Sequence, residues 1–154
     1  MEYQSTRGGE RGVRPSLAIV KGLAKDGGLF VPEFIPKLPL SLRELSELSY
    51  QDLAYEIMKL YFTDFTEEEL RFSVESAYDG KFDTAEIAPV VKKGEYYYLE
   101  LFHGKTLAFK DMALSILPYL MKVSTKKNNI KEKIVILTAT SGDTGRAAME
   151  GFSG

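Results

Sequence analysis

The sequence predicts an α/β chain in two parts. Residues 1–90 should form a small, mainly helical domain, and residues 91–154 the truncated start, in the order βαβα, of a parallel-sheet domain. Three observations carry that expectation. Capped, amphipathic segments fill the first part. Ile134-Val135-Ile136-Leu137 is a continuous apolar run, the pattern of a strand covered on both faces. Strand, helix and strand follow one another within about 40 residues, the span of a βαβ unit.

Ser16 to Ala24 carries Leu17, Val20 and Leu23 or Ala24 at helical spacing, and Gly27-Gly28 supplies the stop. Pro32, Pro36 and Pro39 then punctuate a stretch that reads as loop, since each lacks a backbone donor and has a fixed φ. Ser49-Tyr50-Gln51-Asp52 has the form of a capping box, opening a helix with Leu53, Ile57 and Leu60 on one face. Thr66-Glu67-Glu68-Glu69 repeats the device ahead of Leu70, Val74 and Ala77. Its glutamates suit the positive end of the helix dipole and read as structural.

Beyond residue 89, Pro89-Val90-Val91 and Tyr96 to Leu101 flank Lys92-Lys93-Gly94-Glu95, a hairpin turn. Tyr96, Tyr97 and Tyr98 would alternate between the faces of such a strand and read as packing residues. Phe109 to Val123 is helical in pattern, with Pro118 expected to kink it or disturb its first turns. Lys126-Lys127-Asn128-Asn129 is a polar connection to the apolar run, and a last helix opens near Asp143 or Thr144. No internal repeat interrupts this order.

The last helix has run about three turns when the chain stops at Gly154. A doubly wound sheet needs more strands and two covered faces. The expectation is a fragment of a longer protein, with one sheet edge unpaired and Ala147, Ala148 and Phe152 left in water, and hence self-associating or reordering its last residues.

Composition narrows the partners. Of the 154 residues, 44% are hydrophobic and 27% charged, within the soluble globular range. A formal net charge of −2 gives no bulk attraction to nucleic acid or an anionic membrane. The absence of cysteine removes disulfides, thiolate metal sites and cysteine nucleophiles together. With no apolar run near ~20 residues, and a polar start in Met1-Glu2-Tyr3-Gln4, the reading is a soluble, cytoplasmic protein.

Two segments carry chemistry. In Leu99-Glu100-Leu101-Phe102-His103-Gly104-Lys105-Thr106-Leu107-Ala108-Phe109-Lys110-Asp111, the chain leaves a strand, passes a Gly-containing loop and enters a helix with a lysine at its start. The positive end of a helix favours the neutral amine, the form that attacks an aldehyde. On spacing alone, the same pattern also describes an ordinary surface lysine. The second segment, Thr138-Ala139-Thr140-Ser141-Gly142-Asp143-Thr144-Gly145, follows the apolar run and opens a helix. Its hydroxyls, glycines and free N–H groups suit an anion, although a well-capped turn has the same composition. It is not a P-loop, because no Gly-Lys-Ser/Thr follows.

Together the two segments resemble the threonine synthase family. So do Tyr3-Gln4-Ser5-Thr6-Arg7-Gly8 and Val20-Lys21-Gly22-Leu23-Ala24-Lys25-Asp26-Gly27-Gly28-Leu29-Phe30-Val31-Pro32 at the amino end, in the same order. One departure is Lys105, where the family usually has proline. The resemblance implies a fold-type II pyridoxal 5'-phosphate enzyme, a lyase that converts O-phosphohomoserine and water into threonine and phosphate. It implies Lys110 as the cofactor-holding lysine and as general base. Ser141, Gly142 and Thr144 would receive the substrate carboxylate, and Asp143 would stand beside the cofactor ring. His103, the single histidine, would touch the substrate phosphate or merely fix its loop. The cofactor's phosphate loop and the partner of its pyridine nitrogen would lie beyond Gly154, leaving the fragment inactive. Other fold-type II enzymes, of the cysteine synthase or threonine dehydratase type, share the lysine segment and a related loop but not the amino-terminal preamble. A non-catalytic metabolite-binding module is the remaining alternative, against which an intact Lys110 argues.

Overall fold

A computed structural model describes residues 1–153; Gly154, the last residue of the expected second domain, lies outside the described residues. The amino end is a two-stranded antiparallel sheet of β1 (Tyr3–Ser5) and β2 (Phe30–Pro32), with Tyr3 opposite Pro32 and Ser5 opposite Phe30. Asp26 ties the intervening loops to it. Its carboxylate accepts from the Ser5 hydroxyl at 2.7 Å, from Gly9 N–H at 2.7 Å and from Gly28 N–H at 2.9 Å. These partners hold the Asp26 carboxyl below its usual range, the Ser5 bond contributing most.

Between the strands, α1 (Pro15–Lys21) starts with proline in its first turn, where a missing N–H costs nothing. A short helix that the sequence pattern does not announce follows the proline loop. Ser41 and Glu44 make a complete capping box for α2 (Leu42–Ser46), beyond the last of those prolines. Ser49 caps α3 (Tyr50–Tyr61) through Asp52 N–H, and Thr66 with Glu69 forms the full box of α4 (Glu67–Ala77).

The hairpin is present as β3 (Val90–Lys93) and β4 (Tyr96–Leu99), antiparallel and turned at Gly94, whose φ of 62° is costly for a side-chain-bearing residue. Its tyrosines do not pack: Tyr96, Tyr97 and Tyr98 are all exposed, because neither face of a lone two-stranded ribbon is covered.

The predicted helix over 109–123 is two helices, α5 (Asp111–Leu114) and α6 (Leu117–Lys127). The break has a direct cause. Pro118 has no N–H to donate to the Leu114 carbonyl, so the first helix ends there and Pro118 enters the first turn of the second. The chain closes with α7 (Asp143–Phe152).

A single core joins the two halves of the sequence. Tyr55, Phe65, Leu70, Val74, Ala77, Tyr78, Phe82 and Ile87 pack with Ile116, Leu120 and Val123 of α6 and the turn before it. Burying one such Leu fully is worth about 1.5–3 kcal/mol, so α6 is the element that fastens the second half to the first. Polar ties follow the same seam. Lys127 meets Glu69 at 2.7 Å, the Tyr78 hydroxyl donates to the Met112 carbonyl at 2.7 Å, and Asn128 Nδ2 donates to Ser16 Oγ at 3.1 Å.

Two expectations are corrected here. Residues 134–137 form no strand among the described residues, and both sheets are antiparallel. A strand exists only by pairing, and nothing pairs with this run; Leu137 is 89% exposed. The observed architecture is therefore mixed helix and strand, without a parallel βαβ ladder. Ala147 and Ala148 are not left in water: α7 lies against α5 and α6 and buries both. No helix among the described residues is long and apolar enough to cross a membrane.

Candidate functional site

Lys110 stands one residue before α5, half-buried, with Nζ 4.2 Å from the centre of the Phe109 ring. The helix it opens is only one turn long, so the dipole at Lys110 is that of a single turn and not of the long helix its sequence suggested. What fixes Lys110 is the loop before it. Asp111, 4% exposed, accepts from Thr106 N–H at 2.8 Å and from the Thr106 hydroxyl at 2.6 Å. Gly104 lies against that carboxylate so closely that a Cβ there would sit 2.5 Å from Asp111 Oδ2. Leu107, at the outer bend, has a φ of 60°.

His103 anchors the front of the same loop. Its Nδ1 pairs with Asp83 Oδ1 at 2.5 Å and its Nε2 with Glu100 Oε2 at 2.9 Å, and its carbonyl accepts from Asp83 N–H at 3.0 Å. Glu100 first, and then Asp83, raise the imidazole's pKa above the ordinary value by favouring its charged form. Both ring nitrogens are thus engaged by protein carboxylates. Lys105, in place of the expected proline, reaches Glu150 on α7 at 2.9 Å, which raises its pKa.

The second segment is organised by a residue that sequence reasoning passed over. Thr140 Oγ1 accepts from Gly142 N–H at 3.2 Å and from Gly145 N–H at 3.0 Å, shaping the turn into α7. Arg146 N–H donates to the Gly142 carbonyl at 2.9 Å, the first bond of that helix. Ser141, Gly142 and Asp143 are exposed and Thr144 is half-buried. A hydroxyl two residues before a glycine was the available signal for Thr140.

The structure brings two of the predicted site residues to one place. Lys110 and Thr144 line a single cavity of about 720 Å³ whose other walls include Tyr50, Leu53, Leu99, Leu101, Met112 and Leu114. Lys110 is its one charged lining residue among those described. Ser141, Gly142, Asp143 and His103 do not line it; the first three precede Thr144 at its rim in sequence, and His103 braces the loop on the lysine side. The surface that faces this space is almost entirely apolar, which suits a flat, weakly polar ring beside Lys110 and Thr144.

Comparison with known proteins gives this geometry a family. The family described as "Threonine synthase N terminus" matches residues 2–78. Threonine synthase of Schizosaccharomyces pombe is 40% identical over 164 aligned residues, covering 100% of this chain and 32% of the relative. The PLP-bound threonine synthase from Brucella melitensis superimposes with a TM-score of 0.87 at 35% identity, over 99% of this chain and 33% of that one. The yeast threonine synthase structure gives a TM-score of 0.85 at 36% identity, over 98% and 33%. The chain therefore spans about a third of the length of the relatives it matches. In sequence and in fold, the chain belongs to the threonine synthase family, corresponding to its N-terminal part.

Proposed function

We propose that this chain is the first third of a threonine synthase, a pyridoxal 5'-phosphate-dependent lyase that converts O-phosphohomoserine and water to threonine and phosphate. The observation that carries the reading is the shared cavity: Lys110 and Thr144 come from separate motifs and line one apolar space. Its walls suit a planar heteroaromatic ring, and Lys110 is the single amine able to hold an aldehyde there. Bound pyridoxal phosphate supplies an electron sink for carbanion chemistry on an amino acid. Lys110 would hold the cofactor and, with its free amine, move the proton at the substrate's Cα. Ser141, Gly142 and Thr144 would receive the substrate carboxylate at the start of α7, with Asp143 beside the cofactor ring. His103 enters as the brace of the lysine loop; contact with substrate phosphate would require it to release Glu100 or Asp83.

The same reading divides the chain into an N-terminal domain over residues 1–90 and the start of a fold-type II sheet domain over 91–154, with α6 bridging them. The run at 134–137 would become a parallel strand once partnered. Exposed Val135, Leu137, Tyr96 and Tyr97 support self-association of the isolated chain, which would be inactive alone. A cytoplasmic setting accompanies this biosynthetic role.

The test uses the full-length polypeptide. Lys110→Ala should abolish both the cofactor's bound absorbance and threonine formation, whereas Thr144→Val should raise KM and leave that absorbance nearly unchanged. Normal turnover in Lys110→Ala would remove Lys110 from the chemistry.

A further inference from the structure

Two adjacent residues in the last turn of α7 grip the lysine segment on both sides of Lys110. Glu150 pairs with Lys105, five residues before it, at 2.9 Å. Gly151 touches the backbone four residues after it: a Cβ on Gly151 would sit 2.3 Å from the Leu114 carbonyl oxygen and 3.6 Å from Pro118 Cγ. That carbonyl is the one to which Pro118 cannot donate, so the break between α5 and α6 leaves the backbone open to a close approach that only glycine permits. The other end of α7 is the Ser141–Thr144 turn. Because α7 is a continuous helix of ten residues, fixing its last turn fixes where its first turn stands.

We propose that Glu150 and Gly151 are positioning residues that set the placement of the Ser141–Thr144 turn relative to Lys110. Neither lines the cavity that Lys110 and Thr144 share, so both act through other groups. Gly151 sets the closeness of α7 to α5, and the Glu150–Lys105 pair sets its rotation and draws in the outer bend of the lysine loop. Lys105 and Glu150 are half-exposed, at 52% and 44%, so the pair is weak as a source of stability. Its consequence is geometric. Pairing Lys105 with α7 couples the two chemistry-bearing segments. The chemical meaning of that coupling rests on the proposed function, but the clamp itself does not.

The clamp can be read without any activity, by amide hydrogen exchange in the full chain over residues 104–114 and 140–146. Glu150→Gln and Lys105→Gln should each speed exchange in both segments by about two- to fivefold, the range expected for a half-exposed ion pair. The swapped pair, Lys105→Glu with Glu150→Lys, should restore it. Gly151→Ala should act more strongly, by roughly tenfold or more, because backbone has to move. A second readout is the rate at which pyridoxal phosphate, trapped with borohydride, labels Lys110 by peptide mapping. It should change in the same variants while the thermal melting of the chain stays close to wild type in Glu150→Gln. Faster exchange in one segment only, or no rescue by the swapped pair, would overturn the clamp even if Gly151→Ala does not fold. Labelling that shifts to another lysine in every variant, wild type included, would instead count against the cofactor role of Lys110.

Discussion

Replacing Asp111 tests how the lysine loop is held. The Asp111 carboxylate is 4% exposed and satisfies two donors of one residue, Thr106 N–H at 2.8 Å and Thr106 Oγ at 2.6 Å. Thr106 is itself 8% exposed, so Asp111→Ala strands both donors away from water. A buried donor left unsatisfied costs about 1–3 kcal/mol, which puts the loss at about 2–5 kcal/mol once some relaxation is allowed. Asp111→Asn is the informative control. Its amide can accept from the Thr106 N–H through oxygen and donate to the Thr106 hydroxyl through nitrogen, and it keeps the shape that fits against Gly104. Its loss should stay within about 1.5 kcal/mol. Urea denaturation of the three proteins measures both values. An alanine variant within 0.5 kcal/mol of wild type, or an asparagine variant as damaged as alanine, would refute the view that this hydrogen-bond pair holds the loop.

Three further outcomes follow from named contacts. Leu70→Ala should cost about 2–5 kcal/mol in the same denaturation assay, since Leu70 is 2% exposed in the core that joins both halves; a loss under 1 kcal/mol would contradict that packing. His103 has a raised folded pKa, so its contribution is full below the unfolded value of about 6.5 and is lost as pH rises through the folded one. Proton NMR of the ring should place its titration above 6.5 in wild type and lower in Glu100→Gln, and an unchanged midpoint in that variant would refute the pairing. Asp26 is the opposite case. With its folded pKa lowered, its contribution is present above the unfolded value and is lost as pH falls through the folded one, so the stabilities of wild type and Asp26→Asn should converge toward low pH. A gap between them that stays constant down to acid would show that the carboxylate's charge plays no part.

Local signals in the sequence were legible where neighbours close in the chain decide the outcome. Thr66 with Glu69 and Gly94 in its hairpin need partners within a few residues and are found as their patterns predict, while Ser49 caps its helix through Asp52 N–H without the return bond of a full box. The α2 cap at Ser41 and Glu44 was equally local, but three prolines upstream masked it. Strand Ile134–Leu137 and the packing of Tyr96–Tyr98 failed for a shared reason. An apolar or alternating pattern states what a segment would do when covered, and these segments are uncovered in this chain. At the site, Lys110 and Thr144 were legible as motif residues, and their common cavity follows from the close approach of α7 to α5. That approach depends on Gly151 meeting a carbonyl 37 positions earlier in the chain, a coincidence no local pattern announces. His103 was legible as a member of the motif. Its two carboxylates, Asp83 and Glu100, come from either side of the hairpin and could not be read as its partners from spacing.

The most direct measurement is product formation by the full-length polypeptide supplied with pyridoxal phosphate and, in separate reactions, O-phosphohomoserine, threonine or O-acetylserine with sulfide. A chain whose Lys110 and Ser141–Thr144 turn serve a threonine synthase should release phosphate and form threonine from the first in equal amounts. The other two substrates should give little or nothing. Turnover of threonine to an oxo acid, or of O-acetylserine to cysteine, with O-phosphohomoserine left intact, would place the same cavity in a different pyridoxal phosphate enzyme and contradict the proposed function.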